Sequence, residues 1–296
     1  MIVYFGQLLK FKLSITVVFS AISGYLIGFD YFNLQHFLYL VFGGFLVTGS
    51  ANTFNQVIER GKDKLMKRTS VRPLPKEKIT YIQALAFGFI IGISGLLLLN
   101  KINPENSFYG LMSKASFFGL LSIFLYVFSY TPLKRVSTIS IFVGAVPGAI
   151  PFLLGYVAAT NDFGLAAGFL FAIQFLWQLP HFISIAWVLD EEYKKAGFKM
   201  LFGGKKNGFP ASISVVTSIL LTIISVLPFF YIKAVNLSLI AALIIFILGV
   251  WFTMKSIYLL KYKDDLSARR LMLSSFAYLP LLQLTFVIDK LLRDYI

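Results

Sequence analysis

The sequence predicts an all-α integral membrane protein, a bundle of about nine transmembrane helices with its N-terminus in the cytoplasm. Three observations carry this expectation. Of 296 residues, 58% are hydrophobic and only 14% are charged, whereas soluble domains carry about a quarter charged residues. Apolar stretches close to the length that crosses a bilayer recur along the whole chain. The cations fall between those stretches, and they do so with a strong bias toward alternate loops.

In chain order the apolar stretches lie near 12–30, 35–58, 79–100, 114–131, 138–159, 163–189, 211–232, 236–258 and 271–290. Their recurrence argues against reading the first as a removable signal peptide. The runs Ile22-Ser23-Gly24 and Phe42-Gly43-Gly44 predict close helix crossings, because small residues let backbones approach in lipid. Of the 27 Lys and Arg residues, only Lys101, Lys114, Lys233, Lys290 and Arg293 fall on one side. All others share the side of the N-terminus and of the loops after spans 2, 4, 6 and 8. The positive-inside rule assigns that side to the cytoplasm. Gaining or losing one span would split the basic loops across the membrane, so the bias also supports the span assignment. The expectation is one polytopic domain over 1–296, N-in and C-out.

The formal net charge of +14 does not indicate a nucleic-acid partner, because the cations punctuate apolar spans rather than forming a continuous soluble face. Topology and attraction of an anionic substrate account for it better. The absence of Cys excludes disulfides, thiolate metal sites and thiol nucleophiles.

The end of span 2 carries Asn55, Glu59 and Asp63 at i, i+4 and i+8. If the helix continues that far, the three side chains share one face. Two carboxylates and a carboxamide are hard oxygen ligands suited to Mg²⁺, which takes one or two carboxylates plus substrate phosphates. Arg68 and Arg72 follow, and guanidinium groups grip phosphate oxygens bidentately. A solvated helix end with i,i+4 ion pairs is the plain alternative. The tandem spacing, partly inside an apolar helix, favours a diphosphate–Mg²⁺ site, since polar groups there are costly.

After span 4 come Tyr130-Thr-Pro-Leu-Lys134-Arg135, then Gly144-Ala-Val-Pro147-Gly148-Ala-Ile-Pro151 in span 5. The cations extend the phosphate cradle or simply set topology, and the Gly and Pro residues thin and kink the span. Span 6 holds Trp177-Gln-Leu-Pro-His181, followed by Asp190-Glu191-Glu192-Tyr193-Lys194-Lys195. The three acids can supply a second Mg²⁺ or orient Lys194 or Lys195 on phosphate. A solvated charged helix end reads equally well. His181 is a packing residue, an axial haem ligand or a base. The loops after spans 2 and 6 are both long, basic and acidic, a weak internal echo.

These stretches resemble the UbiA superfamily of intramembrane prenyltransferases, which share an Asn-x-x-x-Asp-x-x-x-Asp motif. The Trp-Gln-Leu-Pro-His run and Asp-Glu-Glu-Tyr-x-x-Ala-Gly are similar, more narrowly, to the superfamily's haem-farnesylating branch, the protoheme IX farnesyltransferases or haem O synthases. The resemblance implies a UbiA-like bundle whose polar cap binds Mg²⁺-diphosphate at the cytoplasmic face of a prokaryotic cell membrane. It implies farnesyl diphosphate and haem B as substrates, with water added to give haem O. Hand-over to a haem A synthase or to terminal oxidase assembly would follow. Carried over by residue, Asn55, Glu59 and Asp63 form the first motif, with Glu59 where Asp is commoner. Arg68, Arg72, Lys134 and Arg135 match basic phosphate-binding positions. Asp190, Glu191 and Glu192 stand in for a second Asp-x-x-x-Asp motif that is not present as such. His181 matches the haem-branch histidine, with Tyr130 and Trp177 on the acceptor side. Two rival readings are a prenyltransferase of an aromatic or quinone precursor and a non-catalytic haem or lipid transporter.

Overall fold

The computed structural model describes residues 1–106, 110–231 and 235–295. Among these the protein is all-helical, with α1 (Ile2–Leu8), α2 (Phe11–Gly28), α3 (Leu34–Asp63), α4 (Tyr81–Asn100), α5 (Lys114–Phe124), α6 (Thr131–Leu133) and α7 (Ser140–Thr160). There follow α8 (Leu165–Val188), α9 (Asp190–Lys195), α10 (Gly208–Val226), α11 (Pro228–Tyr231), α12 (Leu239–Tyr262) and α13 (Asp265–Tyr295). Nine segments of these residues are long and apolar enough to cross a membrane. They coincide with the nine expected stretches to within a few residues, except where span 2 runs on to Asp63 and span 9 begins at Asp265. Lys233, counted on the outer side, lies outside the described residues.

The bundle is inverted relative to a soluble one. Phe89, Ile90, Ile93 and Leu97 of α4 and Ile240 and Ile247 of α12 are exposed, as lipid-facing side chains are. Ser14, Ser20, Ser50, Ser218 and Gln283 are buried. Small residues set the crossings, as expected in lipid. A Cβ on Gly24 of α2 would lie 2.1 Å from the Phe152 carbonyl oxygen of α7, and one on Gly155 would lie 1.8 Å from the Ala21 oxygen. The α2–α7 backbones are therefore in direct contact. Gly43 does the same against Gly95 of α4, 3.0 Å from its carbonyl oxygen.

Span 4 is not a plain α-helix. It passes through a π-helical segment, Leu125–Tyr130, into α6. Pro132 has no N–H to continue the ladder, and Thr131 Oγ1 instead donates to the Tyr126 carbonyl at 2.7 Å. π segments widen a helix by one residue and re-aim its side chains. Here Tyr126, Tyr130 and Thr131 turn toward the end of α3.

Between the helices lies a cavity of about 540 Å³. Its wall is mostly apolar, from α2, α3, α5, α7, α8 and α13, and Asn52, Tyr126, Tyr130, Gln174, Trp177, Gln178 and His181 add polar groups.

Candidate active site

The long α3 carries Asn55, Glu59 and Asp63 on one face, and all three are buried, with at most 4% of each exposed. The condition set by the spacing is met because α3 stays helical through Asp63. Loop 64–80 folds back over this face with Met66, Leu74 and Ile79 inward. It delivers Arg72, whose Nη1 donates to Asp63 Oδ2 at 2.8 Å. Lys134, also buried, ion-pairs with Glu59. Its ammonium lies 4.7 Å from the Tyr130 ring centre and 5.3 Å from that of Phe198. Asn55 donates through Nδ2 to Thr131 Oγ1 at 3.2 Å, which ties the motif to the π-helical turn.

Lys10 joins this group without having been expected there. It sits at the break between α1 and α2 with φ of 47°, a left-handed conformation that costs a residue with a side chain. That geometry sends its Nζ to 3.4 Å from Asn55 Oδ1. Burial, then the neighbouring Arg72 and Lys134 cations, pull its pKa down to about 7, against the opposing pull of Glu59 and Asp63. The only signal in the sequence was a Lys next to the first span, which reads as topology. Tyr193 was missed as a site residue in the same way. Burial pushes its hydroxyl pKa up, and Arg68, Lys134, Glu59 and Arg72 all act on it electrostatically.

The remaining expected residues distribute unevenly. Arg68 is exposed, and its charge acts on the Tyr193 hydroxyl. Arg135 forms no ion pair with the carboxylates among the described residues, and its Nη2 donates to the Ile58 carbonyl at 3.0 Å. Asp190 is buried and takes Lys194 at 2.7 Å, while Glu191 is solvent-facing and 3.9 Å from the same ammonium. Lys195 is exposed. Glu192 keeps one buried oxygen, Oε2, with no hydrogen-bond partner. The segment after α9 docks on the first cluster, since the Lys199 N–H donates to the Lys134 carbonyl at 2.7 Å.

The donor set suits a hard divalent cation. Asp63 Oδ1 is buried without a hydrogen-bond partner, and Glu59 Oε1 meets the Lys134 ammonium but accepts no aligned hydrogen bond. No group of three His, Cys, Asp or Glu residues converges on a metal-sized point among the described residues. Mg²⁺ does not require one, because it uses one or two carboxylates and fills its shell with phosphate and water.

Below the charge cluster, His181 and Trp177 of α8 stack on each other in the cavity wall, with ring centres 4.6 Å apart and planes at 16°. His181 Nδ1 lies 2.7 Å from Ser275 Oγ, and Trp177 Nε1 donates to the Ser275 carbonyl at 3.0 Å. Tyr130 stacks on Phe182 at 6.4 Å. Its ring fills the space over Gly144, where a Cβ would approach to 2.5 Å.

Buried charge at the rim and room for an apolar chain beneath it are the features of a membrane-embedded prenyltransferase. The chain belongs to the UbiA prenyltransferase family, whose model matches residues 17–279. The protoheme IX farnesyltransferase of Flavobacterium psychrophilum is 46% identical over 293 residues, covering 98% of this chain and 95% of that protein. Its counterpart in Flavobacterium johnsoniae is 43% identical, again over 98% of this chain and 95% of the relative. Two solved structures share the fold. A digeranylgeranylglyceryl phosphate synthase superposes with a TM-score of 0.80 at 22% identity, covering 97% of this chain and 98% of that one. A UbiA homologue from Archaeoglobus fulgidus, bound to DMAPP and Mg²⁺, gives 0.69 at 16% identity, with 96% and 99% covered.

Proposed function

We propose that this enzyme transfers the farnesyl group of farnesyl diphosphate to a vinyl group of haem B, with addition of water, to give haem O and diphosphate. The observation that carries the reading is the pair of buried, cation-held carboxylates, Glu59–Lys134 and Asp63–Arg72, set above a cavity walled by Trp177 and His181. Homology to named protoheme IX farnesyltransferases supports the choice of substrates.

The diphosphate would enter among Lys10, Arg72 and Lys134, exchanging their carboxylate partners for phosphate oxygens, with Arg68 and Tyr193 at the edge. Asn55, Glu59 and Asp63 would then be free to hold Mg²⁺, with Asp190 and Glu192 the candidates for a second site. Bound there, Mg²⁺ would neutralise charge developing on the leaving diphosphate. The cations of the chain add electrostatic stabilisation of the same charge as the allylic C–O bond breaks. The apolar wall keeps bulk water from the allylic cation, and the vinyl carbon of haem attacks it. The stacked Trp177–His181 pair in the cavity wall offers aromatic surface for a porphyrin. The loop bias supports a cap facing the cytoplasm of a prokaryotic cell membrane, from which product would pass to a haem A synthase or to terminal oxidase assembly.

The test is mass spectrometry of haem extracted after expression in a host that makes no haem O. A mass increase of one farnesyl group plus one water is expected. Unmodified haem B, together with transfer to 4-hydroxybenzoate by the purified protein, would instead support the aromatic-acceptor reading.

A further inference from the structure

The proposed reaction needs one water molecule inside a cavity that must exclude all others, so a fixed polar site for it has to exist. Gln174, Gln178 and His181 fall at i, i+4 and i+7 of α8, on one face, and all three line the cavity. Both carboxamides are anchored by their nitrogens. Gln174 Nε2 donates to the Gly148 carbonyl at 2.9 Å. Gln178 Nε2 donates to the Ala145 carbonyl at 3.0 Å and the Gln174 carbonyl at 3.3 Å. Anchoring the nitrogens leaves the oxygens with nothing to accept. Gln174 is 96% buried, being only 4% exposed, and its Oε1 has no hydrogen-bond partner. Gln178 Oε1 receives no hydrogen bond among the described residues, and it is seated over Gly148, where a Cβ would lie 2.0 Å from it. Buried acceptors of this kind are ordinarily satisfied, and a buried water satisfies them by donating.

His181 completes the site through its tautomer. Ser275 Oγ donates its single hydrogen to the Met272 carbonyl at 2.6 Å. With that hydrogen on the Met272 carbonyl, the ring is the donor at the 2.7 Å contact between His181 Nδ1 and Ser275 Oγ. With the hydrogen on Nδ1, Nε2 carries a lone pair, and no described residue donates to it.

We propose that Gln178 and Gln174 form a water-positioning site in the cavity wall, from which one water captures the second carbocation of the reaction while His181 Nε2 accepts its proton. The inference rests on the farnesyl-transfer reading above. In that step the C–C bond to the outer vinyl carbon has formed and the inner vinyl carbon is the cation. The water oxygen supplies the electron pair of the new C–O bond, and the oxonium proton moves to Nε2. Without a held water, the cation loses a proton from the adjacent carbon and becomes an alkene, a product one water lighter. The two products share every earlier step, so their ratio reads the water site alone.

The experiment incubates purified enzyme with haem B and farnesyl diphosphate and measures the ratio of hydroxylated to alkene product by mass spectrometry. In Gln178→Leu, loss of one hydrogen bond to the water should shift the ratio toward alkene by about tenfold. Gly148→Ala displaces the carboxamide without removing it and should shift the ratio in the same direction, so the test survives poor folding of one variant. An unchanged ratio in Gln178→Leu or Gly148→Ala overturns the proposal. Loss of an imidazole-ligated haem spectrum in His181→Ala would put Nε2 on iron and overturn its role as proton acceptor. If the wild-type enzyme farnesylates haem without hydrating it, this inference fails alone. If it transfers no farnesyl group to haem, the parent reading fails first.

Discussion

In the buried charge cluster at the end of α3, Asp63 and Lys10 show how one side chain can be legible in the sequence and its neighbour not. Asp63 was marked by spacing alone, because i+4 steps on a helix keep to one face whatever the tertiary structure does. Replacing it with Ala should cut farnesyl transfer by at least about a hundredfold, the scale at which loss of a charge-stabilising group acts. Near-normal turnover of a folded variant would end its assignment to the metal and diphosphate site. Lys10 gains its position from a backbone break and a long-range contact to Asn55. Lys10→Met should raise KM for farnesyl diphosphate by about tenfold or more, as expected for a charge-assisted contact. The same variant should stabilise the ligand-free protein. The folded pKa of Lys10, about 7, lies below the ordinary lysine value of 10.5, so the folded wild-type protein holds fewer protons between those values and stability from this group rises with pH. The gain in melting temperature should therefore be largest below about pH 7 and shrink toward pH 10. Arg135, which matched a basic position of the family, is directed to the Ile58 carbonyl, and Arg135→Ala should change KM by less than about threefold.

The elements divide in the same way. The ends of α2, α4, α7 and α8 follow from apolar length to within a few residues, and the glycine runs pointed to crossings that Gly24 and Gly43 do make. The π-helical turn at Leu125–Tyr130 was not foreseen, although Pro132 was its visible cause. A missing N–H says that the ladder is broken, not how the break is repaired; Thr131 and Asn55 decide that. Tight crossings carry a prediction at this scale. Gly155→Leu puts a side chain where the Ala21 carbonyl oxygen already sits. It should force α2 and α7 apart, lowering detergent-solubilised melting temperature and the yield of folded protein, because overpacking a close contact costs about 1–3 kcal/mol or more. An unshifted melting curve would mean that the crossing gives way freely.

For the whole molecule, the expected orientation rests on a sum over loops rather than on any contact. The absence of Cys allows a direct check by single substitutions. Lys76→Cys should react with a membrane-impermeant thiol reagent only from the cytoplasmic side, and Asp162→Cys only from the opposite side. The reverse pattern would invert the topology. The proposed metal dependence would likewise belong to the assembled cap, to which α3, loop 64–80 and Lys134 all contribute. Chelation with EDTA should abolish transfer reversibly, with Mg²⁺ restoring it.

The sequence by itself determined that this chain spans a membrane about nine times, which loops share a face, and that Asn55, Glu59 and Asp63 align. Each of these depends only on local periodicity, segment length or counted charge. Tertiary structure alone decided that Lys134 and Arg72 hold the carboxylates, that Lys10 lies beside Asn55 while Arg135 donates to the Ile58 carbonyl, and that two glutamines of the cavity wall are anchored by their nitrogens. Those facts depend on which distant helices touch and at what rotation, and crossings set by bare glycine backbone fix both.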